Sequence, residues 1–330
     1  MREAGSMPTV SLVVPVRNEA AFIEACLHGI QVQTYPADLL QVIVVDGQST
    51  DATASIVARI AADDGRIRLI DNPDRAMPQG LNRGIQASTG DLVGVVSGHS
   101  VLPPNYVELA AADLRRTGAS SVGGRIVRTA TAPMHRAIAA ATGSPIGVGD
   151  SRHNYATNAG WVETVFPGIW PRALFDRIGL FDPAMVANED NELSLRIRKS
   201  GGRVWYDPEI AVEYVPRAEL RGLFHQYRRY ALGKMRVLRK HRGGLRWRHL
   251  VPGAWLAWVI IGGVASAFIP AIAVAWWLTI VGYAVAVLGE SIRLHEAGVP
   301  WWMVASALFT LHLGYGVGTW QGLLTWRAAS

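Results

Sequence analysis

The stretch TVSLVVPV (9–16), running directly into Arg17-Asn18-Glu19, decides the fold. A β-branched apolar run of this length, closed by polar residues, reads as a strand buried on both faces. The pattern returns in QVIVVD (41–46), IRLID (67–71) and LVGVV (92–96), with helical periodicity over 20–33, 51–63 and 79–88 between them. Strands alternating with helices predict a parallel sheet of βαβ units, an α/β, Rossmann-like fold. Ligands of such sheets bind beyond the carboxyl ends of the strands. That edge carries Arg17-Asn18-Glu19, Asp46 and Ser97-Gly98-His99.

Further along, 104–117 reads as a helix and 121–128 as a strand. The Ala-, Thr- and Gly-rich stretch 129–170 resists assignment. A helix from about Glu189 to Ser200 follows the turn Phe181-Asp182-Pro183, and a strand pair lies near 203–214. In the region 218–241, Leu220, Leu223, Phe224, Tyr227, Tyr230, Ala231 and Leu238 recur at helical spacing, with Arg and Lys on much of the other face. This predicts a helix lying in a membrane interface.

The composition sets the rest of the frame. Of the 330 residues, 50% are apolar and twelve are Trp, high for a purely soluble enzyme. No charged side chain occurs from 251 to 289, nearly two bilayer spans of about 20 residues each. Pro270 at its middle predicts a hairpin of helices over 251–269 and 271–289, and 299–326 reads as a third span. Gly314 and Gly318 stand at the spacing of a helix-packing face. The net charge of +6 is one block: 217–248 holds eleven Lys or Arg against Glu219 alone, so 1–216 is net negative. A basic block beside an apolar tail predicts contact with anionic lipids and a cytosolic N-terminal domain. No nucleic-acid motif accompanies it. The domains are therefore expected at 1–216, 217–250 and 251–330, in a multi-pass protein of a bacterial cytoplasmic membrane. The lone cysteine, Cys26, excludes an intrachain disulfide and reads as a buried small apolar residue.

Five motifs in order carry a resemblance. They are Val14-Pro15-Val16-Arg17-Asn18-Glu19, Val44-Val45-Asp46-Gly47-Gln48-Ser49-Thr50-Asp51, Asn82-Arg83-Gly84-Ile85, Glu189-Asp190-Asn191-Glu192-Leu193 with Arg196, and Gln226-Tyr227-Arg228-Arg229-Tyr230. Together they resemble family 2 glycosyltransferases of the GT-A fold, and most of all the membrane-anchored transferases of succinoglycan-type exopolysaccharide biosynthesis. The resemblance implies an inverting transferase that moves a sugar from a nucleotide donor, expected to be UDP-linked, to a polyprenyl-linked glycan. Two other readings stay open: a polyprenyl-phosphate monosaccharide synthase, and a catalytically silent nucleotide-sugar-binding scaffold. Other polysaccharide-assembly membrane proteins are the further partners it implies.

The resemblance assigns Asp190 as general base, with Glu189 orienting it. It places Pro15, Arg17, Asn18, Glu19, Asp46, Ser49, Asn82, Ser97, Gly98 and His99 at the donor. Gln226, Arg229, Tyr230 and Glu163 are expected at the diphosphate or the acceptor. The chemistry agrees: carboxylates at strand ends accept from ribose hydroxyls or a base N–H, and Arg grips diphosphate oxygens in a bidentate way. Asp51 has a second explanation, capping of the helix that follows it. The family's DxD-type metal motif is replaced by Ser97-Gly98-His99. His99 is then the one expected metal ligand, and an imidazole favours Mn²⁺ over Mg²⁺.

Overall fold

The computed structural model describes residues 7–149, 151, 154–185, 187–241 and 247–327. The chain divides into two compact units: Met1–Val127 with Tyr155–Val215, and Arg128–Asn154 with Pro216–Ser330.

The first unit opens with β1 (Val10–Val16), α1 (Ile23–Gln31), β2 (Leu40–Asp46), α2 (Thr53–Asp63), β3 (Ile67–Asp71), α3 (Met77–Ala87) and β4 (Leu92–Val95). These strands lie parallel in the order β3-β2-β1-β4, with β1 paired to β2 from Val10↔Leu40 to Val16↔Asp46. The continuous apolar runs follow from two-sided burial. Leu12 and Val14 of β1 join Val42 and Val44 of β2 in one core, while Val13 joins Ile43 and Val45 in the other. Each such side chain contributes about 1.5–3 kcal/mol relative to exposure. Gly84 of α3 lets the helix press onto the sheet, because a Cβ there would overlap Val13.

After β5 (Ser100–Val101), α4 (Tyr106–Thr117) and β6 (Ser121–Arg128), the chain leaves for α5 (Pro133–Thr142) and α6 (Pro145–Val148) of the second unit. It returns with β7 (Gly160–Val162), β8 (Gly168–Pro171), α7 (Arg172–Ile178), α8 (Glu189–Lys199) and β9 (Val204–Tyr214). β8 joins β4 antiparallel, and the sheet continues through β6, β9 and β5. The excursion corrects the expectation of one continuous 1–216 domain. Ala137, Ile138 and Ala141 of α5 pack with Leu223, Leu308 and Leu311, the two alanines letting the helices approach.

In the second unit, α9 (Leu220–Lys240) is the basic amphipathic helix. Its apolar stripe does not lie open as an interfacial helix requires. Leu223, Tyr227, Ala231 and Met235 are buried, and the helix packs along α13 (Trp301–Arg327). Glycines set that closeness. A Cβ at Gly314 would stand 2.7 Å from the Phe224 carbonyl, one at Gly322 2.7 Å from Met235, and one at Gly318 would overlap the Arg228 carbonyl. Part of the basic block, 242–246, lies outside the described residues.

Between them, α10 (Val251–Ala257), a π-helical turn over Trp258–Gly262 and α11 (Gly263–Ser266) form one helical run, and α12 (Pro270–Leu294) returns beside it. Trp276 donates from Nε1 to the Val259 carbonyl at 3.1 Å, satisfying an acceptor of the π turn. The runs Trp247–Ser266 and Pro270–Leu294 are long and apolar enough to cross a bilayer. Their apolar side chains point outward, with Ile261 67%, Val264 64% and Leu278 68% exposed. The third expected span forms a helix, yet it is not among these two. His312, Thr319, Gln321 and four glycines dilute its apolar character, and it packs against α9 and α5. His312 donates from Nε2 to the Ile146 carbonyl at 2.8 Å, which leaves Nδ1 to accept from the Tyr283 hydroxyl at 2.9 Å.

Candidate active site

The carboxyl ends of β1 and β2 are joined into one rim. Gly47 donates from its backbone to the Val16 carbonyl at 2.8 Å, and Asn18 and Gln48 take left-handed conformations, φ 56° and 55°. Asp46 is almost fully buried and accepts from the Ser49 hydroxyl at 2.5 Å and the Ser49 amide at 3.1 Å. Ser49 Oγ in turn accepts from the Asn18 amide at 2.9 Å, and Asn18 Oδ1 accepts from the Thr50 amide at 2.8 Å. Asp46 is thus held rigid with acceptor capacity left, as a ligand-holding carboxylate requires. Pro15 sits in β1 one residue before its end, and Arg17 is exposed on the rim.

Ala52 holds the N-cap position of α2 with no side-chain cap, and Asp51 before it is engaged locally. Asp51 accepts from the Thr53 amide at 3.0 Å and from the Thr53 hydroxyl, and the latter bond holds its carboxyl below the usual range. Thr53 Oγ1 then receives the Glu19 amide at 2.8 Å.

Ser97, Gly98 and His99 follow β4. Ser97 is buried, and a Cβ on Gly98 would stand 2.8 Å from Val16 Cγ1, so the loop rests against the end of β1. His99 Nδ1 lies 3.0 Å from Glu19 Oε1, and Ser97 Oγ is 3.2 Å from the ring nitrogens. Phe22 and Tyr214 flank the ring at centroid distances of 6.4 and 5.1 Å. Pairing of Ser100 with Tyr214 across β5 and β9 puts the tyrosine there. These two flanking aromatics are site residues that sequence reasoning missed. Cys26 donates its thiol to the Ser97 carbonyl at 3.5 Å, and burial pushes the thiol up to about 12, an unreactive structural cysteine.

Glu189 and Asp190 form the first turn of α8. Burial, and then the neighbouring charge of Asp190, push the Glu189 carboxyl up to about 7. Asn191 donates from Nδ2 to Asp190 Oδ1 at 3.3 Å. The approach to this helix is clamped from two sides. Asn82 donates to the Phe181 carbonyl at 2.8 Å and accepts the Phe181 amide at 2.9 Å. Arg196 pairs with the fully buried Glu192 and donates to the carbonyls of Ile178, Gly179 and Leu180. Asn82, expected at the donor, therefore has both amide ends engaged in holding the loop before α8. Thr164 accepts from Ser194 of α8 at 3.1 Å, which ties the Glu163 segment to the same helix.

Gln226, Arg229 and Tyr230 belong to α9 of the second unit. Gln226 is buried and donates to the Tyr230 hydroxyl at 2.9 Å; Arg229 and Tyr230 are exposed.

Among the described residues no three His, Cys, Asp or Glu side chains gather as a metal site. The donor set fits a cation of a particular kind. A histidine whose Nδ1 meets a carboxylate is oriented as metal-bound histidines are, and here Ser97 Oγ stands 3.2 Å from its Nε2. Such a site supplies one protein nitrogen and leaves the remaining positions to oxygen ligands from elsewhere.

A parallel sheet with rigid carboxylates at its strand ends, continued by antiparallel strands and a helix opening on a carboxylate pair, defines a GT-A-like α/β domain. The mannosyltransferase PcManGT from Pyrobaculum calidifontis, solved with GDP-Man and Mn²⁺, superposes over 96% of this chain and 88% of its own, with TM-score 0.67 and 22% identity. The model of glycosyl transferase family 2 matches residues 11–160. The succinoglycan biosynthesis protein ExoA of Rhizobium meliloti (strain 1021) is 30% identical over 96% of this chain and 95% of its own length. A Methanococcus voltae protein, dolichyl N-acetyl-alpha-D-glucosaminyl phosphate 3-beta-D-2,3-diacetamido-2,3-dideoxy-beta-D-glucuronosyltransferase, is 24% identical over 96% and 98%. The chain belongs to glycosyl transferase family 2, and it is a glycosyltransferase.

Proposed function

We propose that this enzyme transfers a sugar, with inversion, from a UDP-linked donor to a polyprenyl-linked glycan at the cytosolic face of the membrane. The observation that carries the reading is the carboxylate pair opening α8, with Glu189 pushed up to about 7 beside Asp190. Asp190 takes the proton of the acceptor hydroxyl as that oxygen attacks the anomeric carbon from the face opposite the nucleotide. The bond to the diphosphate breaks, and its electron pair leaves with the nucleoside diphosphate. Glu189, its carboxyl raised to about 7, is partly protonated at neutrality and so keeps a second full negative charge from the base. Asp46, with Asn18 and Ser49 behind it, accepts from the nucleoside.

A divalent cation, Mn²⁺ ahead of Mg²⁺, would be held by His99 and would offset charge developing on the leaving diphosphate. The Mn²⁺ with which the Pyrobaculum mannosyltransferase was solved supports a cation of this class. A lipid-linked acceptor is supported by the dolichyl phosphate in the name of the Methanococcus relative, and by the outward-facing apolar hairpin. That hairpin would anchor the chain in the bilayer as a multi-pass protein. The basic residues of α9 would face anionic headgroups on the cytosolic side.

The test is a screen of labelled UDP-, GDP- and dTDP-sugars with detergent-purified protein and native lipid extract. The reading predicts label in the lipid phase from a UDP-sugar, with the sugar–glycan bond stable to mild acid. Label released by mild acid would indicate transfer to a simple polyprenyl phosphate instead. Nucleotide binding without turnover of any donor would favour a silent scaffold.

A further inference from the structure

We propose that a groove in the second unit, between the apolar hairpin and α13, holds the isoprenoid chain of the lipid that carries the acceptor, a reading that rests on the lipid-linked acceptor proposed above.

Three helices wall the groove. Trp255 and Val259 come from α10 and the π turn, Tyr283 and Val287 from α12, and Trp301 and Phe309 from α13. Spacings of four and eight residues put each pair on one stripe of its helix. The space between them is about 610 Å³, within the ~300–1,000 Å³ of ordinary ligand sites. The Trp255 and Tyr283 rings lie 4.3 Å apart and join two of the walls. A π turn reaches the groove at Val259, and such turns recur at functional sites.

The walls call for a hydrocarbon. Their two hydroxyls are turned to partners inside the protein, Tyr283 to His312 Nδ1 at 2.9 Å and Ser306 to the Met303 carbonyl at 2.8 Å. Water gains little in an apolar space of this kind. Two walls belong to runs long and apolar enough to cross a bilayer, and the lining residues Leu288 and Phe309 are exposed, so the groove opens sideways to lipid.

Charge marks one end. The hairpin is antiparallel, with Trp255 against Tyr283 and Trp276 against Val259. Arg248 and His249, before the first run, therefore share an end with Arg293, which closes α12 paired with Glu290. Arg248 precedes Trp255 by two helical turns, roughly 10 Å along the axis. A lipid phosphate is favoured at such an end, with its chain running into the groove. An isoprenoid suits this space better than an acyl chain. It carries a methyl branch and a rigid double bond in every unit, so it makes more contacts in a wide groove and loses less freedom when bound.

The experiment uses the full chain in lipid nanodiscs, without a sugar donor. A polyprenyl phosphate with a diazirine in its chain is photo-crosslinked to the protein, and mass spectrometry locates the label. Crosslinks are expected within 280–288 and 301–309, displaced by unlabelled polyprenyl phosphate but not by dioleoyl phosphatidate, which carries a phosphate on acyl chains. Ala284→Trp places a ring in the groove at an exposed position and should weaken polyprenyl phosphate binding roughly tenfold, the worth of one large apolar contact. Val285→Trp, exposed and outside the groove, should stay within about twofold of wild type, as surface changes do. Crosslinks spread over the outer face of the hairpin, through Ile260 and Ile261, would overturn the proposal. Equal displacement by phosphatidate would do the same, since the groove would then hold ordinary bilayer lipid. So would an Ala284→Trp variant that binds as wild type does. Should that variant fail to fold, the crosslink map and the displacement decide. Crosslinks in the groove, with no label reaching native lipid extract in the donor screen, would sink the acceptor reading alone. Labelled lipid with no crosslinks in the groove would sink the groove alone.

Discussion

Glu189→Gln tests the electrostatics of the carboxylate pair through stability. The Glu189 carboxyl is raised from 4.5 to about 7, first by burial and then by Asp190. A raised acid binds its proton more tightly folded than unfolded. The native state therefore holds more protons between pH 4.5 and 7, and stability falls as pH rises through that window. Below it the contribution is fully present; above it the loss is complete and levels off. A displacement of this size corresponds to about 3 kcal/mol. Glutamine keeps the shape without the charge, so Glu189→Gln should lack that slope. The assay is thermal unfolding of detergent-purified protein from about pH 4.5 to 8.5. At about 2–4 °C per kcal/mol, the variant should gain roughly 6–12 °C over wild type near pH 8 and little near pH 4.5. Tm profiles that run parallel across the whole range would refute the reasoning.

Three further outcomes follow from the packing. Asn82→Ala removes two hydrogen bonds to Phe181 and should cost about 1–3 kcal/mol by denaturant titration, with transfer reduced but nucleotide affinity retained. Glu192→Ala leaves the Arg196 guanidinium without its carboxylate and should lower stability by about 3–5 kcal/mol in the same titration. Gly318→Leu would force α13 away from the Arg228 carbonyl. It should destabilise the second unit by about 1–3 kcal/mol, seen as faster proteolysis within 220–327, while Gly282→Leu, where a Cβ meets open space, should not.

The sheet was legible because its strands are buried on both faces and read as unbroken apolar runs, as Val10–Val16 and Leu40–Asp46 do. The rim residues Asp46, Asn18 and Ser49 were legible for a related reason: they stop those runs at one end of the sheet. The excursion through Arg128–Asn154 was not, because alanine and threonine carry little periodicity and its partners lie beyond residue 220. Nor was the work of Asn82, whose partner Phe181 is 99 residues away. The contact between Glu19 and His99 likewise depends on how two loops meet, which no local pattern encodes. In α13, the glycine spacing marked a packing face, and the structure shows what it packs against; the same glycines lower the apolar character that a bilayer span needs.

Whether Asp190 is the base of an inverting transfer is tested most directly by comparing wild type and Asp190→Asn in single-turnover transfer and in nucleotide binding. The expected result is a rate lower by roughly 10²–10⁴-fold, the usual contribution of a positioned base, with nucleotide affinity unchanged. A variant that transfers at the wild-type rate would contradict that role.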